Sequence, residues 1–115
     1  MQQNIKKATR YSNSGTANSQ NLNVNYIKRS LTPLDFYRHE LPDAPLKKHS
    51  WNSGGLCPFH SDNNPGSFRV NLTTGAYKCF SCGEAGGDVI AFTMTVYGLQ
   101  FVEALAKLAD DWGLI

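Results

Sequence analysis

At 115 residues and 12.7 kDa the chain has room for about one compact domain and none for a second catalytic lobe. With 41% hydrophobic and 17% charged residues it reads as neither fibrous nor membrane-bound, and its longest apolar run, near residues 89–92, is far short of a bilayer span. No apolar stretch followed by small residues marks an export signal, so the expected compartment is the reducing cytoplasm, where three cysteines suit a metal better than disulfides.

The formal net charge of +2 is unevenly spread. Lys6, Lys7, Arg10, Lys28 and Arg29 occur in residues 1–29 without a single acid, whereas all nine acids lie beyond residue 29. Up to about residue 25 the chain is rich in Asn, Gln, Ser and Thr, and its few apolar residues follow no helical or alternating period. Residues 1–29 are therefore expected to form a disordered basic arm, equally readable as a solubilising tail or as a long-range attractor of polyanions. Order is expected from residue 30 to residue 115.

Thr32, Pro33 and Asp35 spell a helix start: a hydroxyl to accept a free amide, a proline at the first helical position and an acid near the positive end of the dipole. The short helix should run to about Leu41, with Leu34, Tyr37 or Arg38, and Leu41 inward, before Pro42 and Pro45 end it. Residues 46–56 read as an extended segment followed by a Gly54-Gly55 turn.

Stronger strands are expected over residues 67–71 and 76–80, joined by a turn at residues 72–75. In that register Val70 faces Tyr77 and Phe68 faces Cys79 on an apolar side, while Arg69 faces Lys78 on the other. Asp88 can cap a helix with Val89, Phe92, Thr93 and Val96 on one face, closed by Gly98. A second helix from about Gln100 carries a stripe of Phe101, Leu105, Leu108 and Trp112, predicted to be core, with Glu103, Lys107, Asp110 and Asp111 off it. The expected fold is α+β: an antiparallel ribbon over residues 46–87 whose Cys57, His60, Cys79 and Cys82 make it a zinc ribbon, with a short helix before it and two helices, to about residue 112, after it.

The chemistry concentrates in Cys57-Pro58-Phe59-His60, then eighteen residues, then Cys79-Phe80-Ser81-Cys82. Two pairs of soft donors, each spaced by two residues, let two tight knuckles aim at one tetrahedral zinc ion. Cys57, His60, Cys79 and Cys82 would fill its coordination sphere, so the single Zn2+ is expected to be structural and to leave no position for water or substrate. A redox pair at Cys79 and Cys82 would want a βαβ setting rather than a hairpin, and an iron–sulfur cluster is disfavoured by the paired knuckles. His39 and His49 lack a cysteine three positions away.

The stretch LCPFHSDNNPGSFRVNLTTGAYKCFSCGEAGGDVIAF resembles the zinc-binding ribbon at the N-terminus of bacterial DNA primases and of their phage and plasmid relatives. The matching positions are Cys57 to His60, Ser67-Phe68, Tyr77, Cys79 to Gly83, Gly87-Asp88, Ile90 and Phe92, and the likeness extends over most of residues 31–115. Two departures are Gly66, which separates Pro65 from Ser67, and Asn63-Asn64, where the family favours a charged residue.

The resemblance implies binding of single-stranded template DNA in primer synthesis. It also implies that the chain is not an enzyme by itself, because the family's polymerising domain has no counterpart here, so a separate primase catalytic subunit or helicase is the expected partner and no membrane is. Candidate DNA contacts are Arg69, Lys78, Lys47 and Lys48, with Phe80, Phe59 or Trp51 available to stack a base if exposed. The competing reading is a protein-interaction adaptor that docks on a primase or helicase through the acidic helix near Glu103, Asp110 and Asp111.

Overall fold

The computed structural model describes residues 23–47 and 50–114. Among these residues there are four helices, α1 (Val24–Ser30), α2 (Pro33–Glu40), α3 (Val89–Tyr97) and α4 (Phe101–Asp111), and an antiparallel sheet in the order β1 (Trp51–Ser53), β2 (Phe68–Asn71), β3 (Tyr77–Cys79), β4 (Ala85–Gly86). The chain divides into two compact units, one of residues 32–92 and one that joins α1 to residues 93–114.

In the first unit α2 starts as its residues dictate: Thr32 Oγ1 accepts from the Asp35 amide at 3.2 Å, Pro33 takes the first turn, and Arg38 and His39 sit at the negative end of the dipole. Its buried side chains are Phe36 and Tyr37, with Leu41 just beyond, whereas Leu34 is half-buried and Arg38 exposed. The expected stripe is thus turned toward two adjacent aromatics. Burial holds the Tyr37 hydroxyl protonated, and it donates to the Gly75 carbonyl at 2.6 Å, tying α2 to the hairpin turn.

The hairpin has the expected register, with Phe68 opposite Cys79, Arg69 opposite Lys78 and Val70 opposite Tyr77. Asn71 builds its turn, accepting on Oδ1 from the amides of Thr73 at 2.8 Å and Thr74 at 2.9 Å. β1 adds to one edge with Asn52 opposite Val70. The two-residue β4 on the other edge is not among the expected strands. Gly86 is needed in β4 because a Cβ there would lie 2.5 Å from the Tyr77 ring.

Alternation along β2 and β3 sends Phe68, Val70, Tyr77 and Cys79 inward, and the core they meet is mostly aromatic. Phe92, on α3, lies at its centre, with ring centroids 5.2 to 5.5 Å from Tyr37, Tyr77, Phe36 and Phe59 in edge-to-face contacts. Phe59 is half-buried, and its ring stacks on Tyr77 at 5.3 Å. Asp88 caps α3 as expected, accepting from the Ala91 amide at 2.8 Å.

In the second unit, residues 24–29 depart from the expected arm by forming α1. Asn23 Oδ1 accepts from the Tyr26 amide at 2.9 Å, and Ile27 and Leu31, one turn apart, are both buried. Residues 1–22 of the expected arm lie outside the described residues. α4 packs on α1 and opens with a Glu103 carboxylate accepting from the Gln100 amide at 2.8 Å. Its buried span is residues 104–109, while Phe101 is 45% exposed and Trp112 half-buried, so the expected stripe holds only at Leu105 and Leu108.

Lys107, expected on the solvent side, is buried: its ammonium pairs with Asp111 at 2.6 Å and lies 4.4 Å from the Tyr97 ring centroid, which supplies the partners a buried cation needs. No single helix among the described residues is long and apolar enough to cross a membrane.

Phe92 contributes to so many ring contacts that Phe92→Ala is expected to cost about 3 to 5 kcal/mol of stability, measurable by denaturant unfolding of the zinc-loaded protein.

Candidate metal centre

Two tight turns aim the four expected donors at one point. Cys57 ends the segment that leaves β1, and its backbone amide donates to Asp62 Oδ2 at 2.8 Å, while the Phe59 amide points at its sulfur at 3.4 Å. Cys79 closes β3, and the Cys82 amide points at its sulfur at 3.5 Å. Gly83, at φ +84°, lets the chain turn back so that its amide reaches the Cys79 carbonyl at 2.9 Å. Each knuckle is therefore held by backbone hydrogen bonds as well as by whatever its sulfurs bind.

The ligand atoms of Cys57, His60, Cys79 and Cys82 all lie within 4.8 Å of one another, and the sulfurs of Cys57 and Cys82 are 3.9 Å apart. A tetrahedral zinc ion with bonds of about 2.3 Å sets its sulfur ligands about 3.8 Å apart, whereas a disulfide would need about 2.05 Å. The three cysteines are free thiols. His60 Nδ1 is buried and makes no hydrogen bond to the protein, an orphaned acceptor of the kind a metal satisfies. The donors thus fit one zinc ion, whose chemistry here is to cross-link β3 to the first knuckle.

Electrostatics agree with a site that gains its charge on metal binding. Burial pushes the Cys57 thiol up to about 12 in the metal-free site. Burial acts in the same sense on Cys79, but the amides of Cys82 and Ser81 and hydrogen bonds from the other two thiols outweigh it and hold Cys79 below the usual thiol value. Asp62 is held below the usual carboxylate range by the amides of Cys57 and Asn64, the latter at 3.0 Å, and by His60, whose Nε2 stands 3.8 Å from Oδ1. Asp62 was missed in the sequence, although an acid two residues after the histidine is a readable signal. The extra residue Gly66 is exposed with open space around it, so it lengthens the loop without disturbing the donors.

Two of the expected DNA contacts lie on the other face of the sheet. Arg69 and Lys78 are cross-strand partners there, Arg69 half-buried and Lys78 exposed. Phe80 is 70% exposed, with the Lys78 ammonium 5.3 Å from its ring centroid, and Trp51 is 47% exposed on the edge strand. Lys47 is exposed, and its amide donates to Asn52 at 3.2 Å. Lys48 and His49 lie outside the described residues.

A ribbon closed by three cysteines and a histidine belongs to the structural zinc-binding modules. The match to the CHC2 zinc finger family covers residues 35–115, and the chain belongs to that family. It is 38% identical over 89 residues to a DNA primase of Rickettsia prowazekii, covering 77% of this chain and 14% of that protein. A DNA primase of Clostridium acetobutylicum is 51% identical over 65 residues, 56% of this chain and 11% of that one.

Among solved structures, the Aquifex aeolicus primase, comprising zinc-binding and RNA polymerase domains, matches with a TM-score of 0.62 and 31% identity over 77% of this chain and 21% of that one. The chain thus spans about a seventh or less of the length of these primase sequences.

Zinc removal by a chelator is expected to expose the amides of β2, β3 and both knuckles to hydrogen exchange, because the metal contributes on the order of 10 to 16 kcal/mol in small zinc domains; α4, which holds no ligand, should stay helical by circular dichroism. Since Cys57 keeps its proton in the metal-free site, zinc uptake must release it. Apparent zinc affinity should therefore rise with pH between about pH 6 and pH 8, with proton release measurable in weakly buffered solution.

Proposed function

We propose that the chain is the template-binding module of a DNA primase: it binds single-stranded DNA with the sheet face opposite the zinc ligands and acts in the cytoplasm. In this reading polymerisation falls to a catalytic unit other than these residues, working beside a replicative helicase. The observation that carries this reading is an exposed ring beside two cations on that face, Phe80 with the exposed Lys78 over it and the half-buried Arg69 directly across the strand pair. Like charges placed opposite each other weaken a hairpin unless something anionic lies between them, and a phosphate fits that role. An exposed ring beside them offers the flat surface on which an unpaired base stacks.

The zinc ion serves this face without touching a substrate. Its four protein donors fill the coordination sphere, so it offers no position for water or a nucleotide. What it does is fix the end of β3 and the second knuckle, and these carry Lys78 and Phe80. Lys47, exposed in the chain before β1, adds charge, and Lys48, next to it in sequence, is a further candidate contact. The family likeness supports the assignment, since the matched relatives are DNA primases.

Fluorescence anisotropy with a labelled single-stranded oligonucleotide tests the proposal. Binding should be weak, with a logarithmic salt slope between about −1.4 and −2.8, the value for two to four phosphates neutralised on a single strand. Phe80→Ala should cost about 1 to 3 kcal/mol of binding free energy, and Arg69→Ala with Lys78→Ala should flatten the salt slope while zinc content stays at one per chain. Absence of binding even at low salt overturns it.

A further inference from the structure

We propose that Asp62 is the positioning residue of the zinc centre, holding the His60 ring so that Nδ1 meets the metal while Nε2 keeps its proton and faces the Asp62 carboxylate. Three observations converge on this assignment. His60 belongs to the donor cluster and its Nδ1 is the buried ring nitrogen without a hydrogen-bond partner, whereas Nε2 stands 3.8 Å from Asp62 Oδ1. That separation is ion-pair range rather than a hydrogen bond, so the carboxylate acts on the ring by charge and orientation. The Asp62 side chain is itself only 5% exposed and is fixed from behind, Oδ2 by the Cys57 amide at 2.8 Å and Oδ1 by the Asn64 amide at 3.0 Å.

The consequence is that one carboxylate sets two of the four donors. Through the Cys57 amide it closes the turn that carries the first sulfur, and through its charge it selects the His60 tautomer that leaves Nδ1 free to bind. A neutral imidazole carries its single proton on one nitrogen or the other, and a carboxylate beside Nε2 favours the proton there. Carboxylates placed behind metal-bound histidines raise ligand basicity and hold the ring against rotation, and their loss typically lowers metal affinity by about 10- to 100-fold.

The test uses the full chain loaded with zinc. Long-range proton–nitrogen NMR of the His60 ring should show Nδ1 bound to metal and Nε2 protonated; metal at Nε2 overturns the proposal. By competition with a chelating indicator, Asp62→Ala should weaken zinc binding by about 10- to 100-fold, with Asp62→Glu recovering most of the loss.

Asp62→Asn carries no charge and keeps only one of the two oxygens that accept the Cys57 and Asn64 amides, so the His60 ring spectrum of the zinc-loaded variant, rather than its affinity, separates positioning from loop capping. A change in the ring's tautomer or mobility relative to the unaltered protein supports the assignment, and an unchanged ring spectrum overturns it. Should Asp62→Ala fail to fold even with excess zinc, the ring spectrum of the unaltered protein and the Asn variant still decide.

Discussion

The convergence of three sulfurs and an imidazole on one point is the constraint from which the rest of the ribbon follows. A sheet whose strands are two to four residues long has little backbone pairing to hold it, and one of its strands ends in a ligand. The metal stands in for length. By joining Cys79 and Cys82 to Cys57 and His60 it closes a loop that would otherwise be free to drift, and it does so beside an aromatic cluster that fills the interior of the same unit. Phe59 shows how closely the two are joined: it sits between the ligands Cys57 and His60 in sequence, yet its ring stacks on Tyr77.

Much of this was legible in the residues. The two knuckles and the hairpin register could be read because both depend on short, strict spacings: two residues between donors, and a period of two along each strand. The caps of α2 and α3 were readable for the same reason, since Thr32 and Asp88 act on amides three residues away. What escaped depends on neighbours distant in sequence. Phe36 counts as core because Phe92 lies 5.5 Å from it, which no local pattern states, and β4 exists only as the edge partner of β3.

α1 and α4 show two further limits. α1 was hidden because its two buried residues, Ile27 and Leu31, fall on either side of a change in composition, and the polar text before them masked the spacing. On α4 the heptad-like stripe was read too far toward the N-terminus, leaving Phe101 outside the core. Lys107 was misplaced because hydropathy treats every lysine as solvent-facing, whereas an acid four residues on and a tyrosine ring together make a buried ammonium tolerable.

β3 gives three residues and the one that follows them four separate duties in strict alternation: Tyr77 in the core, Lys78 outside, Cys79 in the ligand set, Phe80 outside. Inserting or deleting a single residue there would turn the pleat over, sending the thiolate into solvent and a lysine into the aromatic interior. That segment can accept changes of side chain but none of length, so any drift in loop size must be absorbed on the solvent side of the first knuckle, where Gly66 already stands.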